Sequence, residues 1–508
     1  MKRAFLSAVI ITVFTFSSQV ILFIGQMVAA AQFGAGSDMD AFVAASALPQ
    51  YLISVLLGSL GYVYIPFFVD YKTKGDEQKA YQLTTNLFNF CILFLGIVSF
   101  LGIIFSEFLL RITAPGLSPE VLKLGVKVAI ITWPTILASG ALSLLLSFYQ
   151  AEKKYGWQAI VPFLGAIIHL SLLILLAPRL GVLGLAVATT AGVIAQVILL
   201  VNVITKSSRY QFKINWNDPS LHQILKLTIP LVLVAIVTKF TPVIDRYLAS
   251  NLQEGSISHL NYAFKVITVI SVLVSTGAAT VIFPKMAQDA SGSDIGALRN
   301  TLSLGLRSMW LIIAPLITIG LSLSLPVVVI LFKRGAFTLE DSIAVSDLLK
   351  IYLLALISMS LGNVTGKGFY VLKDTRTLAI FGTVEVLAYA VYTVMLTRWL
   401  GITGIAIGYV IYFNLSLLWQ VWILRRKLGN SGGATIMKSF GKTFAAALAG
   451  GGLTYVSMTL TSVTLVQLVL GGLVGLIAYL FVLLLLGSTE LKLLVDLVLA
   501  SSRKRKPA

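Results

Sequence analysis

The 508-residue sequence has little of what soluble enzymes and metalloproteins rely on. Its single cysteine, Cys91, excludes an intrachain disulfide and any cysteine-based metal cluster. Its three histidines, His169, His222 and His259, are too scattered to suggest a metal site. Only 11% of residues are charged, against about 25% in soluble domains. No Walker A segment is present, so the chain does not hydrolyse ATP by that route, and no HExxH motif occurs. These absences argue against an enzyme and against a bound cofactor.

What the chain has is hydrocarbon: 57% of residues are hydrophobic and the mean hydropathy is +0.93. About fourteen apolar segments long enough to cross a bilayer follow one another with short connections. They run near 5–33, 41–69, 86–112, 122–150, 158–177, 181–204, 222–250, 258–286, 303–331, 342–371, 376–398, 402–424, 437–460 and 464–487. The expected fold is an all-α polytopic membrane protein. The run after Met1-Lys2-Arg3 is about twice the length of a signal-peptide core, so it reads as an uncleaved first helix. Alternate loops are rich in Lys and Arg, which accounts for the net charge of +18 without nucleic acid. Placing the basic loops inside puts both termini in the cytoplasm.

An internal repeat recurs at a spacing of about 220 residues. Leu180-Gly181-Val182-Leu183-Gly184-Leu185-Ala186 matches Leu400-Gly401-Ile402-Thr403-Gly404-Ile405-Ala406. Phe148-Tyr149 matches Phe369-Tyr370, Ser118-Pro119-Glu120 matches Thr338-Leu339-Glu340, and Ile65-Pro66 matches Phe283-Pro284. Two pseudo-symmetric six-helix lobes follow, at 1–204 and 222–427, joined by a linker at 205–221. Two further helices occupy 437–487. The tail at 488–508 carries an apolar stripe and the basic cluster Arg503-Lys504-Arg505-Lys506, suited to anionic lipid at the inner leaflet.

Charges inside apolar segments mark candidate function, because each is costly in lipid. Lys239, Asp245 and Arg246 fall in the seventh segment and Lys265 in the eighth. On one continuous helix, Lys239 and Arg246 share a face, and Lys239 lies about 15 Å in from the end near Ser250. Shifted by the repeat, they fall on Gln19 and Gln26 of the first segment, which also share a face. The alternatives are a snorkelling arginine and glutamines that bond between helices. His169 reads as a packed, hydrogen-bonded histidine, Asp38 and Asp40 as solvated or capping. Glu385 and Lys367 face either one another or the inner vestibule.

Phe33-Gly34-Ala35-Gly36, Asp40-Ala41-Phe42, Leu48-Pro49, Ile65-Pro66, Ala114-Pro115-Gly116, Phe148-Tyr149 and Gly335-Ala336-Phe337-Thr338 resemble the MurJ/MviN family. That family belongs to the multidrug/oligosaccharidyl-lipid/polysaccharide flippase superfamily. The resemblance implies a bacterial inner-membrane flippase that moves an undecaprenyl-pyrophosphate-linked saccharide, lipid II above all, to the outer leaflet by alternating access. It also implies that helices one, two, seven and eight line a cationic cavity and that the last two helices form a lipid groove. The family's helix-one Arg-Asp pair falls here on Gly25-Gln26 and its helix-eight Asp-Arg pair on Phe264-Lys265. Lys239, Arg246 and Lys265 are then expected to attract pyrophosphate, Gln19 and Gln26 to bond sugar or phosphate, and Asp245 to take a coupling ion. A proton, sodium and the membrane potential are the candidate couplings. Expected partners are the lipid-linked saccharide, membrane lipid and cell-wall or polysaccharide synthesis enzymes. The rival readings are an O-antigen or exopolysaccharide flippase, a drug/cation antiporter and a non-transporting scaffold.

Overall fold

The structure, a computed structural model, describes residues 2–206, 214–292, 294–429 and 432–492. Every regular element among them is helical. By contacts the chain falls into two compact units. Unit 1 is Met1–Ser258 with Arg334–Thr338, and unit 2 is His259–Lys333 with Leu339–Ala508.

Unit 1 contains α1 (Lys2–Phe33), α2 (Ser37–Thr73), α3 (Glu77–Ile104), α4 (Ser106–Thr113), α5 (Pro119–Thr132) and α6 (Pro134–Ala151). It continues with α7 (Tyr155–Leu180), α8 (Val182–Lys206), α9 (Pro219–Thr238), α10 (Thr241–Ser250) and the first residues of α11 (Ser256–Ser291). Helix starts follow local chemistry. Ser118 accepts from the Val121 amide at 3.4 Å with Pro119 next in line, and Asp218 accepts from the Ser220 amide at 2.9 Å. The third apolar segment begins earlier than its hydropathy suggests, at Glu77, because Asp76 caps it through the Lys79 amide at 3.1 Å.

Unit 2 contains the rest of α11, then α12 (Ile295–Phe332), α13 (Leu339–Val371), α14 (Thr375–Leu400), α15 (Ile402–Leu428), α16 (Gly433–Met458) and α17 (Thr464–Leu485). The last two pack on α12. There the Trp310 indole donates to the Phe440 carbonyl at 3.1 Å, and the Tyr479 hydroxyl to the Leu311 carbonyl at 2.6 Å.

Twelve stretches among the described residues are long and apolar enough to cross a membrane. With α11 and α16 they make up the fourteen-segment layout. The chain is an all-α, multi-pass membrane protein.

The repeat is visible in the backbone of each unit. Gly181 takes φ 58° and ψ −144° between α7 and α8, and Gly401 takes φ 59° and ψ −135° between α14 and α15. That region excludes most side chains, so the paired glycines are a steric requirement. After Phe148-Tyr149 and Phe369-Tyr370, the turns place Lys153 and Lys373 at φ 59° and 57°. Lys153 and Lys373 each donate to a carbonyl three residues back, at 3.0 Å.

The contact grouping differs from the division at 205–221 for one segment. α9 and α10 sit with unit 1 because α2 packs on them, through a cluster of Tyr51, Val55 and Val243. Residues 207–213 of the linker and 493–508 of the basic tail lie outside the described residues. Arg307 pairs at 2.6 Å with Glu490, whose side chain is 3% exposed, just before the tail leaves the described part.

Candidate functional site

The seventh segment is not one helix, and this corrects the expectation for Lys239 and Arg246. α9 ends at Thr238 and α10 begins at Thr241, so the two-turn argument for a shared face does not apply. The cause is Pro242, which has no amide proton and whose ring crowds the preceding turn. The Phe240 amide turns to the Val237 carbonyl at 3.1 Å, a tighter bond than the helix repeat. That frees the Ile236 carbonyl, which the Tyr51 hydroxyl of α2 satisfies at 2.6 Å. The Tyr51 ring also meets Phe240 edge-on at 5.4 Å. A membrane helix can break only where such partners replace the lost bonds.

Lys239 caps α9 at this break and is exposed. Asp245 and Arg246 follow on α10, both partly buried, and Arg246 donates to the Pro242 carbonyl one turn back at 3.1 Å. Gln19 is exposed and Gln26 partly buried on α1, which packs chiefly on α7. Lys265 is partly buried on α11 and belongs to unit 2. Five of the six candidates therefore share unit 1, on two separate helix groups.

At position 25, where the resemblance leads one to expect a charge, a Cβ would come within 3.2 Å of His169 Nε2. His169 is buried on α7 and hydrogen-bonds the Ala188 backbone. It is the packed histidine expected, and it fills the space beside α1. Glu385 does not pair with Lys367. Its carboxylate accepts from the Trp419 indole, and the Lys367 ammonium lies 5.6 Å from the centroid of Phe283.

The densest cluster of resemblance motifs was not singled out as a site, yet it meets at one end of unit 1. The buried carboxylate of Asp40, on α2, accepts from the amides of Gly255 and Ser258 at 2.7 Å each, and from the Ser258 hydroxyl. It caps the start of α11. Glu254 returns the arrangement, accepting from the Ser37 amide at 3.0 Å at the start of α2. Each carboxylate faces the positive end of a helix, Asp40 that of α11 and Glu254 that of α2. Nearby, the Ala336 amide donates to the Ala31 carbonyl at 2.8 Å, and a Cβ at Gly335 would lie 2.1 Å from that same oxygen. A Cβ at Gly116 would lie 2.0 Å from the Ser250 carbonyl. The signal was present in the sequence as the Gly34, Asp40, Gly116 and Gly335 motifs. Their partners are 215 to 218 residues away for Asp40, so local pattern could not connect them.

A helical fold of two units with an internal repeat, charged residues in its spans and reciprocal helix caps at one end of unit 1 defines a multi-pass transporter class. Solved structures agree on the fold. The chain superposes on a lipid II flippase MurJ in an inward closed conformation with TM-score 0.81 and 21% identity, covering 93% of this chain and 98% of that one. An inward-facing multidrug transporter of the MATE family and MOP superfamily gives 0.70 at 13% identity, covering 83% and 96%. The family model described as lipid II flippase MurJ matches residues 29–501, and the chain belongs to the MurJ family. Among its relatives is a probable lipid II flippase MurJ of Vibrio cholerae, 25% identical over 434 residues, 82% of this chain and 83% of that protein. Another, from Synechocystis, is 25% identical over 462 residues, 87% and 86%.

Proposed function

We propose that this protein is a flippase that carries an undecaprenyl-pyrophosphate-linked saccharide, lipid II, from the cytoplasmic to the periplasmic leaflet of the bacterial inner membrane. The observation that carries this reading is the match of the MurJ family model across residues 29–501. The protein acts by transport and not by catalysis, and both termini are cytoplasmic, as the distribution of basic loops supports.

In this reading the lobes at 1–204 and 222–427 move as units about a substrate path. Lys239, presented at the helix break, and Arg246 and Lys265 attract the pyrophosphate, whose charge is spread over several oxygens. Gln19 and Gln26 bond sugar or phosphate, and the lipid tail runs along α16 and α17. The bonds of Asp40 and Glu254 hold the periplasmic end closed while the substrate loads, and break when that end opens. The basic tail meets anionic lipid, and synthesis enzymes that supply or consume the saccharide are partners in the membrane.

Complementation tests the reading. The gene should restore growth of a strain depleted of its lipid II flippase and should not restore surface polysaccharide in a strain lacking its O-unit flippase. Rescue of the second strain alone would overturn the assignment to lipid II, and rescue of neither would overturn transport of lipid-linked sugars.

A further inference from the structure

Unit 2 holds a carboxylate that the substrate path does not use. Glu385 lies on α14 within the apolar span Thr375–Leu400. It accepts from the Trp419 indole, and the Ser416 hydroxyl lies beside the same carboxylate. Both donors are on α15, three residues apart and hence on one face. Phe381 of α14 stacks on the same indole, with centroids 4.6 Å apart and planes 21° apart. Glu385 and Phe381 therefore hold α15 to α14 through Trp419.

Ser416 links this pair to a polar chamber. The Gln420 amide donates to the Ser416 hydroxyl at 3.1 Å, and the Gln420 oxygen accepts from Thr365 at 2.6 Å. Ser416 and Gln420, with Ser271, Ser358 and Asn363, line a cavity of about 230 Å³. That volume admits several waters at about 30 Å³ each, and the lining offers them hydroxyl and amide partners. Of the titratable groups on the helices packed against α14, Tyr412 on α15 lies within electrostatic reach of Glu385. Lys367 on α13 turns its ammonium to Phe283.

We infer that Glu385 is a proton-binding site, supplied from water in this chamber through Ser416, whose protonation loosens α15 from α14. An ionised carboxylate only accepts, and here it meets two donors. Once protonated it must also donate, and of its two partners only the Ser416 oxygen can accept. The bond to Ser416 then reverses, the serine proton turns to the chamber, and both bonds to α15 lose the charge that made them strong. The proton balance is simple. A hydronium in the chamber gives a proton to the Ser416 oxygen as Ser416 passes its own to Glu385, leaving water, serine and a carboxylic acid. In the transport cycle this adds a coupling proton on unit 2; the coupling rests on the flippase reading, the site itself does not.

Infrared difference spectra of the purified full chain in lipid nanodiscs, without substrate, test the site. Between about pH 9 and about pH 4, a protonated-carboxyl band should appear in the wild type and be lost in Glu385→Gln. Acidification should also change tryptophan fluorescence, and that change should vanish in Glu385→Gln and in Trp419→Phe, the second of which leaves the carboxyl in place. A band that persists unchanged in Glu385→Gln overturns the proposal, as does a spectrum indifferent to pH but altered by sodium. Flipping of lipid II in proteoliposomes separates the two readings. Transport without the titrating band would sink the proton site and spare the flippase; the band without transport would do the reverse.

Discussion

The replacement of Asp40 by asparagine is the sharpest test of the closed end. The carboxylate takes two amide bonds at 2.7 Å and one hydroxyl bond, at a position 5% exposed. Asparagine has the same shape but one accepting oxygen, and its amide group only donates. With that oxygen turned to Ser258, the Gly255 amide faces another donor. One bond to a charged group is lost, a term of about 1.5–3 kcal/mol, and a buried donor is left unpaired, about 1–3 kcal/mol more. A total near 3 kcal/mol, at about 1.4 kcal/mol per factor of ten, raises the open population of this end about 100-fold. A reporter thiol reads that population: Ala35→Cys, at a site 4% exposed, in a Cys91→Ala background. Its reaction with a maleimide, under conditions where labelling is slow relative to reclosing, should be about 100-fold faster when Asp40→Asn is added. Asp38→Asn, at an exposed residue of the same turn, should change the rate less than tenfold. A rate within about threefold of the parent for Asp40→Asn would show that these bonds do not hold the end closed, and the argument would fail.

Further outcomes follow from other sites. Lys239→Gln and Lys265→Gln should leave folded protein at near-normal levels and remove most transport; full transport in both would take these lysines out of the mechanism. Gly116→Ala should lower thermal stability by about 1–3 kcal/mol, because the added carbon meets the Ser250 backbone and no flexible side chain can yield; an unchanged melting temperature would refute the close approach. Burial opposes ionisation of Glu490, but its backbone amide, Arg307, Ser439 and Ser488 together hold its pKa below the ordinary carboxylate value. Its contribution is therefore complete above the unfolded value near pH 4.3 and is lost as pH falls through the depressed folded value. Melting curves of Glu490→Gln should show about 3–5 kcal/mol less stability at neutral pH and a weaker loss in acid than the wild type. Finally, Ser37→Cys in the Cys91→Ala background should react with an impermeant reagent from the periplasmic side; labelling only after the inner face is exposed would reverse the proposed orientation.

Much of this protein was legible without coordinates. The fourteen-segment layout follows from hydropathy, which needs only about twenty consecutive residues to declare itself. The repeat was legible too, because its turns are set by backbone sterics: a glycine at φ near 58° is required wherever the same bend occurs, in Gly181 as in Gly401. Helix starts at Ser118 and Asp218 are likewise written within three residues of themselves. What the local pattern could not determine was every partnership across long separation. Pro242 marks an interruption in the sequence itself, but the break at Phe240 persists because Tyr51, 185 residues away, takes the freed carbonyl. For Glu385 the sequence left open whether it faces Lys367 or the inner vestibule, and the fold places it against Trp419 and Ser416. Asp40 read as a solvated or capping acid, and only tertiary packing decides that it caps a helix 215 to 218 residues away. Hydropathy and backbone sterics act within a few residues, so sequence records them; a buried polar group is satisfied by whatever the fold carries to it, and that is decided in three dimensions.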